Sequence, residues 1–339
     1  MKKSTLALCM AVIATPVIAE EHKVAVTEDN YAHVMFDLGI KAEVSQGADN
    51  DWHHHRAPIA LDKQPAPMMN RDTLYLFHGF DGTQDVTITI PEMDGRYVSV
   101  QVMTHDHITA NVFYGSGTFL IKAKDITPYT MLYVRTQVDA SDTADVEKAN
   151  DYQDQYKVEY VDKSFESKAY QPTPWDMETF KPLHAHYSAE AKQEGVNFTM
   201  GTVQNPVSQA MNNRGASIAT GLMPDDHAMY KNGNYKVDKN QCYAVTYDVP
   251  LQTNPDLGFY SITIYDDTQY LATDANSIIT SRDIVLNNDN TFTVHYGNTA
   301  SCGEVDNQLH VPTDEFNITM RVYLPEVEKI AAYELPNVK

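Results

Sequence analysis

The sequence predicts a mainly β protein of two domains joined by a helical connector, and three observations carry that prediction. Residues alternate with period two over many short runs. Turn-forming residues separate those runs, and apolar residues in the middle of the chain recur at helical spacing. Many short strands between turn signals give a sandwich or a barrel.

Taken in order, Met1-Lys2-Lys3 is basic, Leu6 to Ala14 is apolar, and Val17-Ile18-Ala19 supplies small residues before Glu20-Glu21. That order predicts a signal peptide over 1–19, cleaved near Ala19, and hence a periplasmic or secreted protein. No later segment approaches the roughly 18 apolar residues of a membrane span, so no membrane insertion is expected. The next unit, 20–140, carries strands at Val86 to Ile90, Tyr97 to Met103 and Thr130 to Val138. Val98, Val100 and Val102 share one face of the second of these. Pro91 and Gly95 punctuate the turn between the first two.

The connector, 141–225, holds three helices. Asp142 caps the first, Thr173-Pro174 starts the second with Gly195 as its stop, and Asn205-Pro206 starts the third. From 226 to 339 strands return at Tyr243 to Val249, Phe259 to Tyr265, Thr291 to Tyr296 and Phe316 to Tyr323, with the turn signal Asn287-Asn288-Asp289-Asn290 between them.

Charge and cysteines bound the chemistry. Lys and Arg number 25 against 46 Asp and Glu, a net charge of −21. Nucleic acid and anionic lipid need clustered basic residues, so neither is expected as a partner. Past the leader two cysteines remain, Cys242 and Cys302, and in an oxidising compartment such a pair is expected to form a disulfide.

Polar groups recur inside strands that otherwise look buried, most densely from Asn70 to Gly117. The elements Asn70-Arg71-Asp72-Thr73-Leu74-Tyr75, Gly95-Arg96-Tyr97, Asp106-His107 and Phe113-Tyr114-Gly115 resemble the module called domain of unknown function 1254. Gly258-Phe259-Tyr260-Ser261-Ile262-Thr263-Ile264-Tyr265 and Met320-Arg321-Val322-Tyr323-Leu324-Pro325 resemble its usual partner, domain of unknown function 1214. The resemblance implies an immunoglobulin-like β-sandwich followed by a jelly-roll-like one, bridged by a few helices. It implies no catalytic residues.

Two constellations offer chemistry. Arg71, Asp72, Tyr75, Arg96, Tyr97, Asp106, His107 and Tyr114 form a candidate ligand site. In it Arg96 orients an anion, an arginine fork being able to hold a carboxylate bidentately, and the tyrosines supply amphipathic walls. The alternative is an ion-pair network that locks the strand ends. His105 and His107 flank Asp106 at a strand end, where period two sets both imidazoles on one face, and His53 with His55 repeats the spacing. A zinc or other divalent site needs three or four convergent ligands. No Gly-x-Ser-x-Gly elbow occurs, and Ser116 lies in a Gly-Ser-Gly turn.

The leading expectation is an exported protein that binds a small molecule, glycan or envelope component without a cofactor. The alternatives are a metal-dependent hydrolase or lyase built on His105 and His107, and a structural protein whose jelly-roll-like domain assembles into homo-oligomers.

Overall fold

A computed structural model describes residues 23–339; the expected leader, 1–19, lies outside them. Among the described residues the chain is mainly β, with 17 strands in several sheets and no barrel. Among the described residues no helix is long and apolar enough to cross a membrane.

The N-terminal half is a sandwich of five strands over three. The larger sheet runs Trp52–His54, Thr73–Asp81, Tyr129–Gln137, Val98–Thr104, Thr109–Tyr114, every neighbour antiparallel. The smaller places Val86–Ile90 between Gly117–Ile121 and Lys157–Tyr160. Val98, Val100, Val102, Leu132 and Val134 point between the sheets and meet Val86, Ile88 and Ile90. Each such side chain contributes about 1.5–3 kcal/mol of burial free energy. Lys157–Tyr160 falls within the expected connector, so the first sandwich takes a strand from beyond residue 140.

The C-terminal half stacks the antiparallel sheet Ala228–Lys236, Glu315–Tyr323, Tyr260–Tyr265, Ile278–Thr280 on a smaller one of Tyr243–Asp248, Thr291–Tyr296 and Gln308–Leu309. Its core includes Ile262, Ile264, Phe292, Val294, Ile318 and Met320. Tyr247 and Tyr296 hydroxyls satisfy one another inside it at 2.5 Å. Cys242 and Cys302 form the expected disulfide, with Cα atoms 4.9 Å apart.

Three expected helices form, with shifted starts. Thr143–Gln153 begins on Asp142, whose carboxylate accepts from Ala144 N–H. The second is Met177–Glu194 and not one starting at Thr173, because Trp175–Asp176 first pairs with Val24–Ala25; Asp176 then caps it and Gly195 ends it. The third is Gln209–Ala216, capped by Ser208. A fourth, Tyr31–Glu43, occupies a stretch for which no element was expected.

That helix and the second sandwich together determine what the site looks like. The outer face of the five-stranded sheet carries Tyr75, Phe77, Ser99, Gln101, Tyr133 and Arg135, and it is covered. Phe36 and Ile40 of helix Tyr31–Glu43 pack on Phe77, Met103 and Tyr133. Phe259 and Tyr323 of the C-terminal sandwich pack on Tyr97, Val112 and Tyr114.

Candidate functional site

The Asn70-Arg71-Asp72 segment turns the chain into strand Thr73–Asp81 at the seam between the sandwiches. Asn70 Oδ1 accepts from Asp72 N–H at 2.8 Å, and Asn70 Nδ2 donates to Thr73 Oγ1, Tyr75 OH and Tyr323 OH. Asp72 is fully buried. Its carboxylate accepts from Ser261 Oγ at 2.6 Å and Tyr323 OH at 3.1 Å, both in the C-terminal sandwich. From that side Arg321, also buried, donates to Thr263 Oγ1, Tyr265 OH and the Met68 carbonyl. Burial opposes its charge, but Tyr265, Asp72 and Tyr323 outweigh that and hold its pKa above the usual arginine value. Arg71 reaches Asp274 across the same seam.

Arg135 stands beside this lock without a counter-charge. It is 6 % exposed, at the centre of the covered sheet face. Its Nη1 donates to Gln101 Oε1 at 3.0 Å and its Nη2 to the Gly221 carbonyl at 2.7 Å, both neutral acceptors. The guanidinium lies 5.5 Å over the Tyr75 ring. Among the described residues the arginines paired with carboxylates are Arg56, Arg71, Arg96 and Arg214. Arg135 is surrounded instead by Tyr75, Tyr230, Tyr97 and Tyr323, which are uncharged at neutral pH. Burial pushes Tyr230 up to about 12 and raises Tyr97 as well. The Tyr97 hydroxyl and Ser99 Oγ are buried close to one another. Tyr75, Tyr114 and Tyr230 keep part of their surface accessible. Tyr114 OH pairs with His227 Nδ1 at 2.8 Å.

Of the sequence-predicted residues, Asp72, Tyr75, Tyr97 and Tyr114 meet at this seam, with Arg71 at its edge. Arg96 does not join them. Its fork is taken by Asp94, at 2.8 and 3.0 Å, and by Asp145 at 2.7 Å, while its Nη1 donates to the Gln137 carbonyl. The guanidinium also holds the Asp94 carboxyl well below the usual carboxylate range. Arg96 therefore clamps helix Thr143–Gln153 to the sheet. Arg135, which the sequence reading left out, stands among these residues instead. Its signal was a lone charged residue inside the strand run Thr130 to Val138.

Asp106, His105 and His107 lie at the opposite end of the sheet, and the expected histidine pair does not form. Strand Val98–Thr104 ends one residue before His105, and His107 takes a left-handed backbone with φ 59°, which swings its ring away from that of His105. His105 Nε2 pairs with Asp37 Oδ1 at 2.9 Å, and Asp37 also accepts from Trp175 Nε1. His33 bonds Asp106. His107 is fully buried with both ring nitrogens unpartnered, and burial lowers its pKa to about 4. A centre using His105 and His107 together has no shared ligand position here.

His53 and His55 do share a side of the edge strand, as their spacing predicts, and both meet Glu43. The sequence reading missed Glu43 because it lies ten residues away at a helix end. An open concavity of about 510 Å³ lies elsewhere, lined by Asn234, Tyr235, Lys236, Asp267, Glu315 and Asn317 among others. Two of its polar groups are already matched, Lys236 by Glu315 and Asn317 Nδ2 by the Asp266 carbonyl.

Residues 228–327 match the family model described as protein of unknown function (DUF1214). No curated protein matches the chain. Among solved structures the chain is similar to the VPA0106 protein from Vibrio parahaemolyticus, at 17% identity and a TM-score of 0.68, covering 92% of this chain and 98% of that one. It is also similar to an uncharacterized protein from Burkholderia cenocepacia, at 16% identity and a TM-score of 0.51, covering 88% and 84%. At these identities the likeness speaks to the fold.

Proposed function

We propose that this chain is an exported binding protein that takes a small organic anion, such as a carboxylate-bearing metabolite or acidic sugar, at the seam beside Arg135. One observation carries the reading: a buried guanidinium with no carboxylate partner, in a chain of net charge −21. An unpaired buried charge costs several kcal/mol, and a bound anion removes that cost. Two of the five guanidinium N–H donors are engaged by Gln101 and Gly221, so donors remain for a ligand. Domain seams are also where small-molecule sites concentrate. The leader-like first residues and the Cys242–Cys302 bond support the extracytoplasmic address.

The test is calorimetric titration and thermal-shift screening with mono- and dicarboxylates, hexuronic acids and inorganic phosphate, on the parent and on Arg135→Gln. The expected result is saturable binding of at least one anion class that raises Tm, lost in the variant while circular dichroism stays unchanged. The reading fails if no anion shifts Tm at millimolar concentration, or if the variant responds like the parent.

A further inference from the structure

We infer that Glu43, His53 and His55 form a binding site for one divalent transition-metal ion, with zinc as the fitting probe. The site is separate from the anion seam and does not depend on it. Three elements of the fold build it. Strand Trp52–His54 pairs antiparallel with Thr73–Asp81, Trp52 opposite His78 and His54 opposite Leu76. His55 N–H continues the ladder to the Tyr75 carbonyl. Strand alternation then sends His53 and His55 to one side and His54 to the other, where His54 lies 3.9 Å from Asp154. Helix Tyr31–Glu43 ends at the third ligand. The segment Val44–Ala48 reverses the chain through Gly47, φ 113°, a conformation open to glycine, and brings Glu43 against the strand.

The donor atoms converge. His53 Nδ1 lies 2.6 Å and His55 Nε2 3.0 Å from the same carboxylate oxygen, Glu43 Oε2, and one donor atom from each of the three residues falls within 4.8 Å of the others. An ion bonded at about 2.0–2.1 Å to each of three tetrahedral ligands holds those ligands roughly 3.3 Å apart. The two carboxylate distances, 2.6 and 3.0 Å, therefore need to open by about 0.7 and 0.3 Å. Two imidazoles and one carboxylate suit zinc and its first-row neighbours better than calcium or magnesium, which prefer all-oxygen shells.

Access also fits. The Glu43 and His53 side chains are 16% and 17% exposed and His55 is 43% exposed, so the ligands are fixed from within and open to water at His55. The Phe77 ring sets the His55 orientation edge-on, with ring centroids 5.3 Å apart. With three protein ligands, the exposed side leaves a coordination position for water.

The competing account is that two imidazoles simply share one carboxylate by hydrogen bonding. To separate them, protein made without a histidine tag is stripped of metal and titrated with Zn²⁺ by calorimetry and with Co²⁺ by visible absorption. The parent is expected to take one equivalent of Zn²⁺ and to develop the intense visible bands of a low-coordinate Co²⁺ centre. His53→Ala/His55→Ala is expected to weaken the affinity at least 100-fold. Glu43→Gln is expected to weaken it about 10–100-fold, and His54→Ala to leave it unchanged. Circular dichroism on every variant separates loss of the site from loss of the fold. Absence of a saturable equivalent in the folded parent at 100 μM Zn²⁺ overturns the inference, as does uptake by the folded double variant at parental affinity.

Discussion

Replacing Asp72 with alanine tests whether the seam holds the two sandwiches together. The carboxylate is fully buried and accepts two hydrogen bonds, from Ser261 Oγ at 2.6 Å and Tyr323 OH at 3.1 Å. Hydrogen bonds to a charged group contribute about 1.5–3 kcal/mol each. Removing both leaves two buried donors unmatched, with Arg321, which Asp72 supports only through space, left behind, at a combined cost of about 3–5 kcal/mol. The expected loss for Asp72→Ala is therefore about 3–5 kcal/mol. At roughly 2 °C per kcal/mol for a chain of this length, Tm falls by roughly 6–10 °C. Scanning calorimetry measures the shift, and urea unfolding gives the free energy independently. Ser261→Ala should lose about 1.5–3 kcal/mol, and the double variant should lose less than the two single losses combined, because both remove one shared bond. A Tm within 1 °C of the parent, or strict additivity in the cycle, would falsify the assignment of Asp72 as the lock.

The buried histidine sets a pH dependence. His107 has a folded pKa of about 4 against about 6.5 unfolded, so the unfolded state binds the proton more tightly between those values. Stability is then complete above about pH 6.5 and is lost as the pH falls toward 4, by about 2 kcal/mol between pH 7 and 5. Urea unfolding at both pH values should show a smaller acid loss in His107→Asn, which keeps a residue tolerant of the left-handed backbone; an undiminished loss would refute the assignment. The Cys242–Cys302 bond closes a loop of sequence separation 60, for which chain entropy gives about 4 kcal/mol. Tm measured with and without reductant should drop accordingly, and an unchanged Tm on verified reduction would count against it.

Legibility in the sequence divides along what period two can see. Val98, Val100 and Val102 announced a strand and its inward face, and the structure places them in the first core. Ser99 and Gln101, between them, lie on the opposite face of the strand, yet both are fully buried. What covers them comes from elsewhere in the chain, and local periodicity carries no information about it. Strand Ala228–Lys236 went unread because Lys231, Asn232, Gly233 and Asn234 are poor strand formers; it lies at the sheet edge beside Glu315–Tyr323, where solvent accepts them. The tyrosines of the seam were legible as a group, since Tyr75, Tyr97 and Tyr114 sit in the runs that stood out. Arg96 stood out in the Gly95-Arg96-Tyr97 element, whereas Arg135 lies inside a strand whose covering comes from distant parts of the chain. Glu43 and His55 come together only through a reversal at Gly47, which their local sequences do not encode.

The lock at Asp72 also sets the unit in which this protein can be inherited. Asn70 and Asp72 find their partners in Ser261 and Tyr323, and Arg321 finds one at Met68. A recombination that exchanged one sandwich for a distant relative's would bring together halves whose buried charges answer to different counterparts. Viable exchanges are those that carry both sides of this handshake. Drift at Asp72 is therefore tied to drift at Ser261, Arg321 and Tyr323, and the two halves travel as one gene.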